Sequence, residues 1–239
     1  MPKPPPATAD NPLYEDFLAG APGRPPIDRW HHYFDVYHRH FQAFRGKQPT
    51  IIEIGVQQGG SLGLWLNYFG AGARVFGIDV DPACAERAPP GARVLIGDQA
   101  DEAFLRRVLD ETGPPDVVID DGGHTARQQI NSFEVLYPAT KTPGVYLVED
   151  THTSFWTGVF ADDPQQRNFI GHAFRTVIAM HDWTAPRQNF RTFSIPPAER
   201  PAPLPASETA RTTDSVCFYD SMVVFTRARR AEPWRETRG

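Results

Sequence analysis

The sequence predicts an α/β protein, a doubly wound and mostly parallel sheet that finishes in an antiparallel C-terminal hairpin. Three observations carry this. Between residues 50 and 148, short and nearly all-apolar runs alternate with helical segments, the pattern of a parallel sheet buried on both faces. Right-handed crossovers then place helices on each side. Near the C-terminus two β-rich runs, 215–219 and 222–226, are separated only by Asp220 and Ser221, the length of a tight hairpin.

Each element follows from local chemistry. Residues 1–27 are rich in Pro, Ala and Gly and read as a flexible arm with a short helical piece at 14–18. Residues 27–44 carry aromatics at Trp30, Tyr33, Phe34, Tyr37, Phe41 and Phe44, the i, i+3, i+4, i+7 spacing of a helix packed on a core. His31, His32, His38 and His40 then fall on a solvated or packed helix face rather than on a metal. Strands are expected at 50–54, 74–78, 93–96, 116–119 and 144–148. Helices are expected at 61–69, opened by a Ser61 cap, and at 82–88, 101–111 and 127–136. Beyond Asp150 come a long loop (151–171), a helix (168–181) and a polar, Pro-rich insertion (196–213). The expected organisation is an arm (1–27), one domain (28–227) and a tail (228–239).

Composition narrows the function. A chain of 239 residues buries roughly 70–75% of its unfolded surface and needs no staple to fold. Net charge is −5, which argues against a duplex-binding basic face, so no nucleic-acid partner is expected. No run of about 18 apolar residues is present, so no membrane span is expected. The N-terminus lacks the apolar stretch of a secretory signal. Cys84 and Cys217 form no spacing pattern and read as free thiols of a reducing, cytoplasmic protein.

Ligands of open α/β sheets bind at the carboxyl ends of strands. After the first strand stands EIGVQQGGS (Glu53, Gly55, Gln57, Gly59, Ser61), a glycine turn that lets backbone approach a ligand, leading into a helix N-terminus. After the second stands Asp79, about 20 residues past the glycines, suited to a ribose diol. The third strand ends at Asp98 and Gln99. A nucleotide-type ligand is therefore expected. It is not a dinucleotide, because Gln57 stands where the middle glycine of G-x-G-x-x-G would be, and no phosphate-loop motif is present. Asp120, Asp121, Glu149 and Asp150 stand at the ends of the fourth and fifth strands. Four converging carboxylates repel without a cation, and oxygen donors suit Mg²⁺, Mn²⁺ or Ca²⁺. His124, three residues past Asp121, is placed to act as a general base. No histidine opens an H-x-[DE] triplet, which argues against a ferrous facial triad.

Together EIGVQQGGSLGLW, GIDVDP, GDQAD, DDGGH, VEDTHTSFW and FYDSMVVF resemble the metal-dependent, S-adenosylmethionine (SAM)-dependent class I sugar O-methyltransferases of antibiotic biosynthesis, over about residues 28–227. The resemblance implies a Rossmann-like class I methyltransferase fold. It implies that Glu53 and the turn 55–61 hold the methionine part of SAM. It also puts Asp79 at the ribose, Asp98 and Gln99 at the adenine, and Asp120 near the sulfonium or amino group. Asp121, Glu149 and Asp150 match the family's ligands for Mg²⁺ (or Mn²⁺), and His124 matches its base. The implied reaction methylates a hydroxyl of a sugar, or a similar vicinal diol, on a glycosylated natural product. The alternative is a relative of the same fold, of the kind named cephalosporin hydroxylases, that binds SAM or a nucleotide without methylating a sugar. Phe155, Trp156, Phe160 and the 196–213 segment are expected to cover the acceptor. The aromatic helix and the terminal hairpin offer surplus apolar surface, so a homo-oligomer is expected.

Overall fold

The computed structural model describes residues 10–187 and 190–238; the first nine residues of the expected arm lie outside the described residues. Seven strands form one sheet: β1 (Thr50–Ile54), β2 (Arg74–Asp79), β3 (Ala92–Ile96), β4 (Val117–Asp120), β5 (Gly144–Val148), β6 (Thr213–Tyr219) and β7 (Met222–Arg227). Their order is β3-β2-β1-β4-β5-β7-β6. The first five pair in parallel, and β7 runs antiparallel to both β5 and β6. The doubly wound sheet with its C-terminal hairpin is thus as the sequence predicts. Strand order reverses between β1 and β4, which opens a crevice beyond their carboxyl ends.

Alternation along each strand sends neighbouring residues to opposite faces. Ile51, Val117, Ile119 and Leu147 face a cluster built with α1 (Pro12–Ala19), α2 (Tyr33–Phe41) and α3 (Gly60–Phe69). The other face of the sheet carries Ile52, Ile54, Val118 and Tyr146. They pack on α5 (Glu102–Thr112), α6 (Ala126–Ala139) and α7 (Phe169–Ala179). Between β2 and β3 lies only the single turn of α4 (Ala83–Glu86).

Four expectations are corrected. The arm is not loose beyond residue 11: α1 buries Leu13 and Tyr14 against Phe34 and its neighbours, and Asn11 caps it. The aromatic helix is shorter than 27–44, starting at Tyr33 and ending in a 3-10 turn at Gln42–Phe44, with Trp30 exposed. Ser61 does not cap α3; Gly59 holds that position at φ 81°, and the Ser61 hydroxyl donates instead to Glu53 Oε2 at 2.8 Å. The Pro-rich insertion does not reach the crevice. It contains α8 (Glu208–Thr212) and buries Leu204 and Ala210 with Trp183 and Phe193 in a third small cluster. The tail then folds back on it, Arg235 N–H donating to Phe193 O at 2.7 Å.

Candidate active site

The glycine turn after β1 and the end of β4 lie in van der Waals proximity because Gly55 has no side chain. It adopts φ +92°, and a Cβ there would stand 1.9 Å from the carbonyl oxygen of Asp121. Asp79, at the end of β2, binds the turn from the other side. Its Oδ2 accepts the N–H of Val56 (2.9 Å) and of Gln57 (3.1 Å), and its Oδ1 accepts the N–H of Asp81 (2.9 Å). Burial raises its carboxyl pKa, but these backbone donors outweigh that and hold it below the usual range.

A cavity of about 190 Å³ opens beside this turn, lined by Gly55, Gln57, Asp79, Asp98, Gln99 and Gln128 among others. Its floor is set by the amide of Gln99, whose Oε1 accepts from Gly123 N–H at 2.9 Å and whose Nε2 donates to Asp120 Oδ1 at 3.0 Å. Asp120 itself is fully buried and accepts further bonds from Ser132 and Tyr146. Burial pushes its carboxyl up to about 6, against those hydrogen bonds. It therefore stands behind the wall of the cavity in this structure. Glu53 lines neither this cavity nor the small one beneath the turn that Ser61 faces, and Gly59 lines a separate, open one against Pro25 and Pro89.

A second cavity of about 120 Å³ adjoins the first and is lined by Arg29, Tyr33, Asp121, His124, Glu149 and Asp150, with Asp28, Trp30 and Gln57. Here the sequence reading missed three residues. Tyr33 and Tyr37 stand one helical turn apart on α2. Their hydroxyls donate to the consecutive acids, Tyr33 to Asp150 Oδ1 and Tyr37 to Glu149 Oε1, each at 2.6 Å. The third is Arg29. Its Nη2 lies 2.8 Å from Glu53 Oε1, its Nη1 2.6 Å from Asp121 Oδ2 and its Nε 3.5 Å from Glu149 Oε2. The only trace of these roles in the sequence is the i, i+4 spacing of the tyrosines and one arginine just before an aromatic helix.

Three buried carboxylates share one guanidinium, so the cavity is short of positive charge. Burial accordingly raises the carboxyl pKa of Glu53, Asp121 and Glu149 even though Arg29 opposes it, Glu149 reaching about 7. The free oxygens point one way. Asp121 Oδ1 and Asp150 Oδ2 stand 3.7 Å and 3.5 Å from His124 Nε2, and Asp121, His124 and Asp150 present ligand atoms within 4.8 Å of one another. Such an oxygen-rich, electron-rich corner fits a hard divalent cation. Glu149, expected as a third ligand, lines the same cavity; its Oε1 accepts from Tyr37, and its Oε2 lies 3.5 Å from Arg29 Nε, an atom with no hydrogen-bond partner. His124 adopts φ 56°. Its carbonyl is held by Thr153 Oγ1 at 2.9 Å. Burial lowers its imidazole pKa, Asp150 opposing and Arg29 adding to that effect, so the ring is neutral at pH 7 and able to accept a proton.

An aromatic ladder leads away from this cavity. The ring of Trp30 lies 6.5 Å from His152, His152 4.8 Å from Trp156, and Trp156 5.1 Å from Phe160. Phe155 and Trp156 are exposed. The 151–160 loop thus adjoins the carboxylate cavity through Trp30, whereas Leu204 and Ala210 of 196–213 pack in the separate cluster. Among the described residues, no helix is long and apolar enough to cross a membrane.

Comparison with known proteins agrees with this geometry. No family model matches the chain. The 8-demethyl-8-alpha-L-rhamnosyl tetracenomycin-C 2'-O-methyltransferase of Streptomyces olivaceus is 35% identical over 217 residues, 86% of this chain and 53% of that protein. The Mycinamicin VI 2''-O-methyltransferase of Micromonospora griseorubida is 36% identical over 145 residues, 57% of this chain and 36% of that protein. The chain spans about half the length of the curated relatives it matches over most of its own length. Among solved structures, the MycE methyltransferase of the mycinamycin pathway in complex with Mg, SAH and mycinamycin VI superposes with a TM-score of 0.73 at 26% identity. That match covers 95% of this chain and 55% of the other. An O-methyltransferase of Bacillus cereus in complex with SAH shares the fold at a TM-score of 0.51 and 14% identity, covering 91% of each chain. The fold is the class I methyltransferase fold, and by sequence and by fold the chain is a relative of the sugar O-methyltransferases of antibiotic pathways.

Proposed function

We propose that the chain is a SAM-dependent O-methyltransferase that methylates a sugar hydroxyl of a glycosylated natural product with the help of a divalent cation. The observation that carries this reading is the adjacency of the two cavities. An open crevice at the strand switch point shares Gln57 and Asp121 with a carboxylate-lined pocket holding a neutral histidine. The likeness to a methyltransferase solved with Mg and SAH, and to sugar O-methyltransferases by sequence, supports it. SAM fits the first cavity, with the Gly55 turn against its amino-acid part, Asp79 at the ribose and Asp98 with Gln99 at the base. Glu53 and Ser61 act from behind, holding the turn. Mg²⁺ or Mn²⁺ fits the second, where Asp121, Glu149 and Asp150 would hold it.

When bound, SAM supplies an electrophilic methyl group and the cation lowers the pKa of a hydroxyl. The protein does the rest by position. His124 Nε2, beside the free carboxylate oxygens, takes the acceptor's proton, a step worth about 10²–10⁴-fold. Tyr33 and Tyr37 keep Asp150 and Glu149 from rotating. The Trp30–His152–Trp156–Phe160 ladder offers rings on which the apolar part of a glycoside can lie. Such an enzyme works in the cytoplasm, where SAM is made available to it. Incubation of the chain with SAM, Mg²⁺ and a panel of deoxysugar glycosides, each paired with its sugar-free aglycone, tests the reading. Methylated product is expected from glycosides only. Tight SAH binding with no methylated glycoside in the panel would leave a SAM-binding relative that is not a sugar methyltransferase.

A further inference from the structure

We propose that Gln57 determines acceptor specificity: its backbone belongs to the cofactor turn, and its carboxamide takes a hydroxyl of the acceptor sugar other than the one methylated. The proposal deepens the sugar reading above and rests on it. Gln57 holds φ 49°, a left-handed backbone that glycine would adopt without cost. Other residues keep such a conformation only where their surroundings over-determine it, and they gather at active sites. Seven non-glycine residues among those described have positive φ. Three of them, Gln57, His124 and Asp150, line the carboxylate cavity. His124 and Asp150 already have tasks there. Gln57 is the third, and its side chain is neither an anionic ligand nor a base.

The surroundings fix the backbone of Gln57 and spare its side chain. Its N–H donates to Asp79 Oδ2 at 3.1 Å. Its carbonyl accepts from Arg87 Nη1 at 2.9 Å and from the Cys84 thiol at 3.3 Å. Among the described residues, no hydrogen bond uses its carboxamide. The residue is exposed and lines the cofactor crevice, the small cavity beneath the turn and the carboxylate cavity. It therefore stands at the boundary between cofactor and acceptor. Chemistry selects the group it meets. Gln57 carries the one carboxamide among the residues lining the carboxylate cavity. A carboxamide donates, accepts and has no charge, which matches a sugar hydroxyl and leaves the charge around the cation unaltered. The reacting hydroxyl gives its proton to His124 in the reading above, so a different hydroxyl is left for Gln57.

Calorimetry on the protein saturated with SAH and Mg²⁺ tests this without turnover. The probes are p-nitrophenyl glycosides with vicinal hydroxyls (rhamnoside, fucoside, glucoside) and the monodeoxy analogues of whichever binds best. Gln57→Gly keeps the left-handed turn and removes only the side chain. Its affinity for the parent glycoside should fall by about tenfold, the loss for one hydroxyl left unpaired in the complex. Its SAH affinity should stay within about twofold of the wild type. One monodeoxy analogue, lacking the hydroxyl that Gln57 meets, should bind the wild type about tenfold more weakly than the parent does, yet bind Gln57→Gly as well as the parent does. A Gln57→Gly protein, folded by circular dichroism, that binds the parent glycoside as tightly as the wild type overturns the proposal. So do losses that simply add for every analogue, and so does an equal loss of SAH and glycoside affinity, which would make Gln57 a cofactor residue alone. A wild type that binds SAH and none of the glycosides overturns the sugar reading and the proposal with it.

Discussion

Gly55 is the position where the candidate site depends most on the absence of a side chain. In Gly55→Ala the new Cβ would stand 1.9 Å from Asp121 O and 2.7 Å from its carbonyl carbon. Both are backbone atoms, so no rotamer change relieves the clash. The residue also keeps φ +92°, which costs an L-residue about 1–2 kcal/mol. Forcing β1 and β4 apart adds about 1–3 kcal/mol of overpacking. The total, about 2–5 kcal/mol, is a large share of an ordinary domain's 5–15 kcal/mol. For a chain of this size it corresponds to a fall in Tm of roughly 4–20 °C. Gly70→Ala is the control: it has φ +84° but nothing within 4 Å of its Cβ, so it should lose only the conformational part, about 1–2 kcal/mol. Scanning calorimetry gives the two Tm values, and titration calorimetry at low temperature gives SAH affinity. Gly55→Ala should lose at least about tenfold in SAH affinity, since 1.4 kcal/mol of misplacement suffices, and Gly70→Ala none. Equal Tm losses together with wild-type SAH affinity in Gly55→Ala would refute the claim that this close approach shapes the cofactor site.

Three further outcomes are expected. Asp79→Ala removes the acceptor of two backbone N–H groups at the turn, Val56 and Gln57, and of a third in its own loop, Asp81, and SAH affinity should drop by on the order of 1.5–3 kcal/mol; calorimetry returning an unchanged affinity removes Asp79 from the site. His124→Ala should slow methyl transfer by about 10²–10⁴-fold with SAH affinity nearly unaltered, and a folded, SAH-binding, fully active variant would end its role as base. His172, packed against Phe133 and Phe169, has its imidazole pKa lowered by burial to about 4. The unfolded chain titrates near 6.5 and so binds more protons than the fold between those values. The His172 contribution is fully present above pH 6.5, declines as pH falls toward 4 and levels off below. His172→Phe should flatten that limb of a Tm-against-pH curve, and identical limbs in the two proteins would contradict it.

The fold was legible because each strand is a short apolar run with a polar or glycine-rich end, a pattern that helices and loops do not share. Ile51 and Ile52 go to opposite faces, yet both are buried, as a sheet covered on two sides demands. Candidate residues at strand ends were legible for the same reason: topology brings Asp79, Asp98, Asp121 and Asp150 to one edge whatever their side chains do. What the sequence could not supply was direction. Asp120 and Asp121 are adjacent, but strand alternation turns Asp120 back toward Ser132 and Asp121 forward toward the pocket. Glu149 also accepts from Tyr37, a partner more than a hundred residues away that nothing in the local sequence reveals. Tyr33 and Tyr37 read as core aromatics because their rings are core; only their hydroxyls belong to the site. The Pro-rich segment 196–213 was read as an acceptor cover from composition alone, and Leu204 and Ala210 commit it to a separate cluster.

The most direct measurement is transfer of a labelled methyl group from SAM to a deoxysugar glycoside by the chain after dialysis against EDTA, followed by titration with Mg²⁺. The account predicts no label on the glycoside in EDTA and saturable recovery as Mg²⁺ is added, with the label on a sugar oxygen. Full transfer in EDTA, or label that never reaches the sugar at any Mg²⁺ concentration, would contradict it.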